Sequence, residues 1–145
     1  MELSGLGVSV DIEDSLPNEK IWTILLRKIQ RPQDYLPVFD VITKPTEDGN
    51  GTYREMSIEV QTKDGVETKR IVENIYAYES SYEVQFVVLS NDSIHINKII
   101  TSPEGKRTLE FYLRLKDSEE RVPWNAPRDI ALKGINAVLQ KAREL

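Results

Sequence analysis

Apolar and polar residues alternate at the start of the chain, where Leu6, Val8, Val10 and Ile12 are interleaved with Gly7, Ser9, Asp11 and Glu13. A period of two predicts a strand with one apolar face. Beyond Ser15 and Asn18, which compete as caps around Pro17, the period changes. Ile21, Trp22, Leu25, Leu26 and Ile29 recur at steps of three and four, which predicts an amphipathic helix with Lys20, Thr23, Arg27 and Lys28 around its wet side. Pro32 stops that helix, and Pro32 to Val38 leaves room for only a short second one before Pro37.

From residue 41 the pattern is that of strands. Val41 to Thr46, Thr52 to Val60, Val66 to Ala77, Tyr82 to Leu89, Ser93 to Thr101 and Arg107 to Lys116 are separated by turn-forming runs such as Glu47-Asp48-Gly49-Asn50-Gly51 and Lys63-Asp64-Gly65. In the last of them Leu109, Phe111, Leu113 and Leu115 face one way, and Glu110, Tyr112, Arg114 and Lys116 the other. Six strands joined by short turns predict an antiparallel meander. From about Pro127 the helical period returns through Ile130, Ala131, Gly134, Ile135, Val138, Leu139 and Ala142. The expected class is α+β in the order β-α-α-β6-α, within a single domain over 1-145. A long helix buried across one face of a flat seven-stranded sheet would leave the ends of its apolar stripe wet, so the expected sheet is strongly curved and wraps around that helix.

Composition narrows the chemistry. The 145 residues contain no cysteine, which excludes disulfides, thiol nucleophiles and thiolate metal sites, and the single histidine, His95, excludes sites built on several imidazoles. No metal or cofactor is expected. Nineteen Lys and Arg against 24 Asp and Glu give a formal charge of -5, with no overall field to gather nucleic acid or an anionic membrane. No apolar run approaches the roughly 20 residues of a membrane span, and the first residues lack the pattern of a secretory leader, so a cytoplasmic protein without membrane insertion is expected.

The order of elements, together with Leu16-Pro17-Asn18-Glu19-Lys20-Ile21-Trp22, Arg31-Pro32-Gln33-Asp34-Tyr35-Leu36-Pro37, Thr52-Tyr53-Arg54-Glu55 and Leu109-Glu110-Phe111, resembles the helix-grip superfamily of START domains, the birch pollen allergen and bacterial polyketide cyclases. Within it the sequence is most similar to an AtaL-like branch, with support concentrated in residues 16 to 60. Pro17 departs from the Ser or Thr cap common in such proteins. The resemblance implies a helix-grip (SRPBCC) fold whose members mostly carry or bind hydrophobic small molecules, a minority being enzymes that use the same cavity.

The candidate cavity or ligand-binding residues are Trp22, Tyr35, Phe39, Arg54, Met56, Ile58, Glu73, Tyr76, Phe86, His95, Phe111, Trp124, Gly134 and Val138. The aromatic members supply apolar surface, in several cases with a polar tip that needs a partner. Arg54 shares the parity of Met56 and Ile58, and Glu73 lies between Ile71 and Ile75, so each charge needs a partner if that face is buried. His95 is the one side chain that ordinarily titrates near neutrality. Trp124, in Val122-Pro123-Trp124-Asn125-Ala126-Pro127, is a candidate gate as well as a loop anchor, and Gly134 interrupts the helical stripe without a side chain. The expected partner is a hydrophobic or aromatic small molecule. An enzyme using the same cavity and an interaction or dimerising module are the alternatives, and a monomer or a homodimer fits equally.

Overall fold

The structure, a computed structural model, describes residues 2–145. Strands β1 (Leu3–Gly5) and β2 (Val8–Asp11) open the chain, and helix α1 follows over Asn18–Gln30. The meander consists of β3 (Val38–Pro45), β4 (Thr52–Thr62), β5 (Gly65–Tyr78), β6 (Glu83–Val88), β7 (Ser93–Thr101) and β8 (Arg107–Leu115). Two short strands, β9 (Arg121–Val122) and β10 (Trp124–Pro127), precede helix α2 (Arg128–Arg143). All pairings are antiparallel.

Several local expectations change. The strand expected from Leu6 onward is shorter, Val8–Asp11, and a separate strand, β1, precedes it; Gly7, at φ +121°, lies between the two, and a Cβ there would meet the Tyr112 Cβ at 2.8 Å. Neither Ser15 nor Asn18 caps α1 through its side chain, because Pro17 occupies the N-cap position and Asn18 Oδ1 accepts a hydrogen bond from Arg107 Nη1 at 2.6 Å. The expected second helix is a single 3-10 turn, Pro32–Asp34.

The expected seven-stranded, strongly curved sheet wrapped around the C-terminal helix is not formed. The main sheet has eight strands in the open order β2-β8-β7-β6-β5-β4-β3, with β9 pairing β8 beyond the stretch that β2 covers, and it is not strongly curled. β1 and β10 make a separate two-stranded ribbon. The physical reason is that α2 does not have to be gripped by the sheet alone. It packs against β2 and β8, against the β1–β10 ribbon and against α1, which together bury its stripe of Ala131, Ile135, Val138, Leu139 and Ala142. The tip of the β4–β5 hairpin extends past this cover, and Glu67 to Arg70 are exposed.

The core is one cluster drawn from α1, α2 and the inner face of the sheet, including Ile21, Trp22, Leu25, Ile75, Phe86, Leu109 and Phe111. The outer face is not wholly solvated either. Ile94, Ile96 and Tyr112 form a small buried patch there, with the Arg121 guanidinium 3.9 Å above the Tyr112 ring.

Candidate functional site

The register places inward side chains in rows. Arg54 on β4 faces Glu73 on β5, while Ile75, Phe86, His95 and Leu113 form a continuous row across β5 to β8. Around the Arg54 and Glu73 pair, the inner face of the sheet, Lys28 near the end of α1 and Ile130, Ala131 and Gly134 of α2 border a common space. The result is a cleft of about 270 Å³. Met56, Ile58, Ile71, Phe86, Phe111 and Trp124 make its apolar wall, and Lys28, Arg54, Glu73, His95 and Asn97 supply its polar groups.

Arg54 is 2% exposed and uses four of its five N–H donors. Its Nε and Nη2 donate to Glu73 Oε1 at 3.1 and 2.5 Å, and its Nη1 donates to the carbonyl oxygens of Lys28 and Ile29 at 3.1 and 3.0 Å. Those carbonyls belong to the last turn of α1, whose C=O groups lack partners within the helix, so one guanidinium neutralises a buried carboxylate and closes a helix end.

Lys28 is the unexpected member. The periodicity reading put it on the wet side of α1, yet it is 4% exposed. Its spacing from Ile21 and Ile24, seven and four residues back, was the available signal, because both are core positions and Lys28 lies on their face. Leu26, expected in the apolar stripe, is exposed instead, and Ile24 takes its place inside. Lys28 Nζ donates to Asn97 Oδ1 at 2.7 Å and lies 4.2 Å from the Phe111 ring centroid and 5.5 Å from that of Phe86. Burial, and secondarily the Arg54 cation, push the Lys28 ammonium down to about 7, against a smaller opposing pull from Glu73. His95 stands edge-on to Trp124, with ring centroids 5.4 Å apart. Burial, followed by repulsion from Lys28, pushes its imidazole down to about 4, so the ring is neutral at ordinary pH.

Of the sequence candidates, Arg54, Met56, Ile58, Glu73, Phe86, His95, Phe111, Trp124 and Gly134 line the cleft. The remaining five lie elsewhere. Trp22 and Val138 are core residues, Trp22 meeting Tyr82 edge-on. Phe39 is 39% exposed on β3, the edge strand, where no further layer covers it. Tyr35 borders an open groove between the C-terminal ends of α1 and α2, beside Arg27, Asp34 and Lys141. Tyr76 has the opposite parity from the inward Ile75, and its hydroxyl donates to Asp48 Oδ2 at 3.4 Å on the other face of the sheet. Lys28, Leu36, Ile71, Asn97, Ala126, Ile130 and Ala131 also line the cleft without being among the sequence candidates, and of these Lys28 and Asn97 bring polar chemistry. The Trp124 segment is paired backbone, with Gly5 opposite Trp124 and Leu3 opposite Pro127, and Ser4 Oγ donates to the Ala126 carbonyl at 2.8 Å.

Among the described residues no group of three or more His, Cys, Asp and Glu could hold a metal ion, and no helix is long and apolar enough to cross a membrane.

No protein-family model matches the sequence, and no curated protein matches it. Solved structures do. The protein TTHA0849 from Thermus thermophilus aligns at a TM-score of 0.59 with 12% identity, covering 95% of this chain and 97% of its own. The di-domain ARO/CYC StfQ from the steffimycin biosynthetic pathway aligns at 0.59 with 10% identity over 96% of this chain and 51% of its own, so the chain spans about half of StfQ. The Zhui aromatase/cyclase from Streptomyces sp. R1128 aligns at 0.53 with 13% identity over 95% and 93%. At these identities the likeness is one of fold, and that fold is of the helix-grip type.

Proposed function

We propose that the chain binds a small hydrophobic or aromatic molecule in the cleft between the inner face of the sheet and α2. The observation that carries this reading is a predominantly apolar cleft of about 270 Å³ with buried, hydrogen-bonded polar groups on one side. Sites for small molecules have this character, and the volume lies just below the roughly 300–1,000 Å³ they usually occupy, which favours a compact ligand of one or two rings. Removing apolar area from water, at roughly 25 cal/mol per Å², drives entry, and the polar groups fix orientation. Open grooves elsewhere on the surface, beside Tyr35 and beside Tyr76, are lined largely by charged and polar side chains such as Arg27, Arg31 and Lys141 or Lys44, Glu47 and Asp48. The likeness of residues 16 to 60 to the AtaL-like branch and a cytoplasmic setting belong to the same reading.

Titration with the neutral fluorophore N-phenyl-1-naphthylamine is expected to show saturable enhancement at one site per chain, with native mass spectrometry reporting the same stoichiometry. The absence of saturable binding in both measurements overturns the reading.

A second reading, an enzyme acting in the same cleft, has one observation in its favour. Lys28, held near neutrality by burial, exchanges a proton readily at physiological pH and borders the space a substrate would fill. Turnover of a cyclic or polyketide-like carbonyl compound that falls sharply in Lys28→Met separates it from passive binding.

A further inference from the structure

The cleft holds more positive than negative charge. Arg54 and Glu73 neutralise each other through two hydrogen bonds to one carboxylate oxygen. Lys28 has no carboxylate of its own: its hydrogen-bond partner is the neutral amide of Asn97, which takes one of its three N–H donors. The faces of Phe111 and Phe86 attract an ammonium, but they bring no compensating charge. The other elements packed around it add no anion, since β6 and β8 present Phe86 and Phe111, β7 presents His95 and Asn97, β10 presents Trp124 and Ala126, and α2 presents Ile130, Ala131 and Gly134. A protonated Lys28 is therefore a buried cation one negative charge short of balance, at the wall of a cavity open to a ligand.

We infer that the molecule bound in this cleft is an apolar oxyanion, a carboxylate attached to a ring or short chain, whose charged oxygen pairs with Lys28. This rests on the cleft reading and narrows it to a ligand class. The pairing is the strong, charge-assisted kind, made where little water competes, so it discriminates between a carboxylate and an uncharged group of the same shape. It also couples binding to protonation. Burial pushes the empty-cleft Lys28 down to about 7, so below that pH the cation awaits the ligand, and above it a proton must be taken up for the pair to form. His95, pushed down to about 4, is neutral on both sides of that pH.

The test uses 4-phenylbutyrate and its isosteric primary amide, 4-phenylbutanamide, each displacing the neutral fluorophore from the whole chain. At pH 6 the carboxylate is expected to bind at least about tenfold tighter than the amide. Between pH 6 and pH 8 its affinity falls about tenfold, following the protonated fraction of a group titrating at about 7, while that of the amide stays constant. Lys28→Met, which replaces the ammonium with an apolar group of similar reach, loses the preference for the carboxylate over the amide. Binding of the amide without a carboxylate preference at pH 6 in the unmodified chain overturns the inference and leaves the cleft reading standing. Failure of both compounds and the fluorophore overturns the two together. A preference retained in Lys28→Met assigns the anion to another group and also overturns it. The comparison in the unmodified chain decides the matter even if that variant does not fold.

Discussion

Arg54 shows how a single side chain connects strand, helix and site. Its four hydrogen bonds reach Glu73 on β5 and two carbonyl groups of α1. Arg54→Met leaves Glu73 as a buried carboxylate without its cation, and removing one member of such a pair costs about 3–5 kcal/mol. Urea unfolding is expected to show a loss of that size, and the double variant Arg54→Met, Glu73→Met to recover a large part of it. A double variant no more stable than Arg54→Met shows that the lost helix carbonyl contacts, and not the stranded carboxylate, carry the cost. In the sequence Arg54 shares its parity with Met56 and Ile58, and Glu73 with Ile71 and Ile75, which leaves open whether that face is buried; in the fold both charges are inside. That they meet depends on the pairing register, which a tight turn at Lys63-Asp64-Gly65 sets over a ladder of eleven pairs. Lys28 was misplaced for a different reason. A charged residue next to Arg27 near a helix end reads as solvated, and only the sheet pressing its Asn97 against that turn makes the buried position tenable.

On α2, Gly134 separates space from propensity. A Cβ at this position would meet Phe111 Cε2 at 3.7 Å and Leu36 Cδ2 at 3.8 Å, ordinary contact distances. Gly134→Ala is therefore expected to stabilise the fold by up to about 1 kcal/mol through helix propensity alone. Gly134→Leu is expected to leave the chain folded but to weaken fluorophore binding severalfold, because the added atoms occupy the cleft that Gly134 lines. Thermal unfolding and titration of both variants check this. A loss of more than about 3 kcal/mol in Gly134→Leu, or its unaltered binding, contradicts the assignment. Where the elements differ from expectation, pairing between distant parts of the chain decided them. The 121–127 segment contains two prolines and reads as a loop, but residues 121–122 pair with β8, and residues 124–127 pair with β1 at the other end of the sequence. Nothing local announces that contact. By contrast, the limits of β7 and the start of β8 follow from the alternation and turn residues around them.

For the whole molecule, the two perturbed groups in the cleft predict a characteristic dependence of stability on pH. Between about pH 7 and about pH 10 the unfolded chain carries a proton on Lys28 that the folded chain has shed, so stability rises with pH over that window, by at most about 1.4 kcal/mol per unit. Between about pH 6.5 and about pH 4 the unfolded chain takes up a proton on His95 while the folded chain does not, so stability falls as the solution is acidified. Chemical unfolding from pH 4 to pH 10 is expected to show both slopes, the alkaline one vanishing in Lys28→Met; an unchanged slope in that variant places the titrating group elsewhere. By itself the sequence determined the α+β class, the meander, both long helices and the apolar face of β8, because hydrophobic period and turn chemistry are local and repeated along the chain. Tertiary structure decided that the sheet stays open and only gently shaped, that the chain's start pairs with residues 124–127, and that Lys28, Asn97, Arg54 and Glu73 share one cleft. Those outcomes depend on which layers share the burial of α2 and on which unlike charges must be satisfied together out of water, and both are properties of packing between segments far apart in the chain.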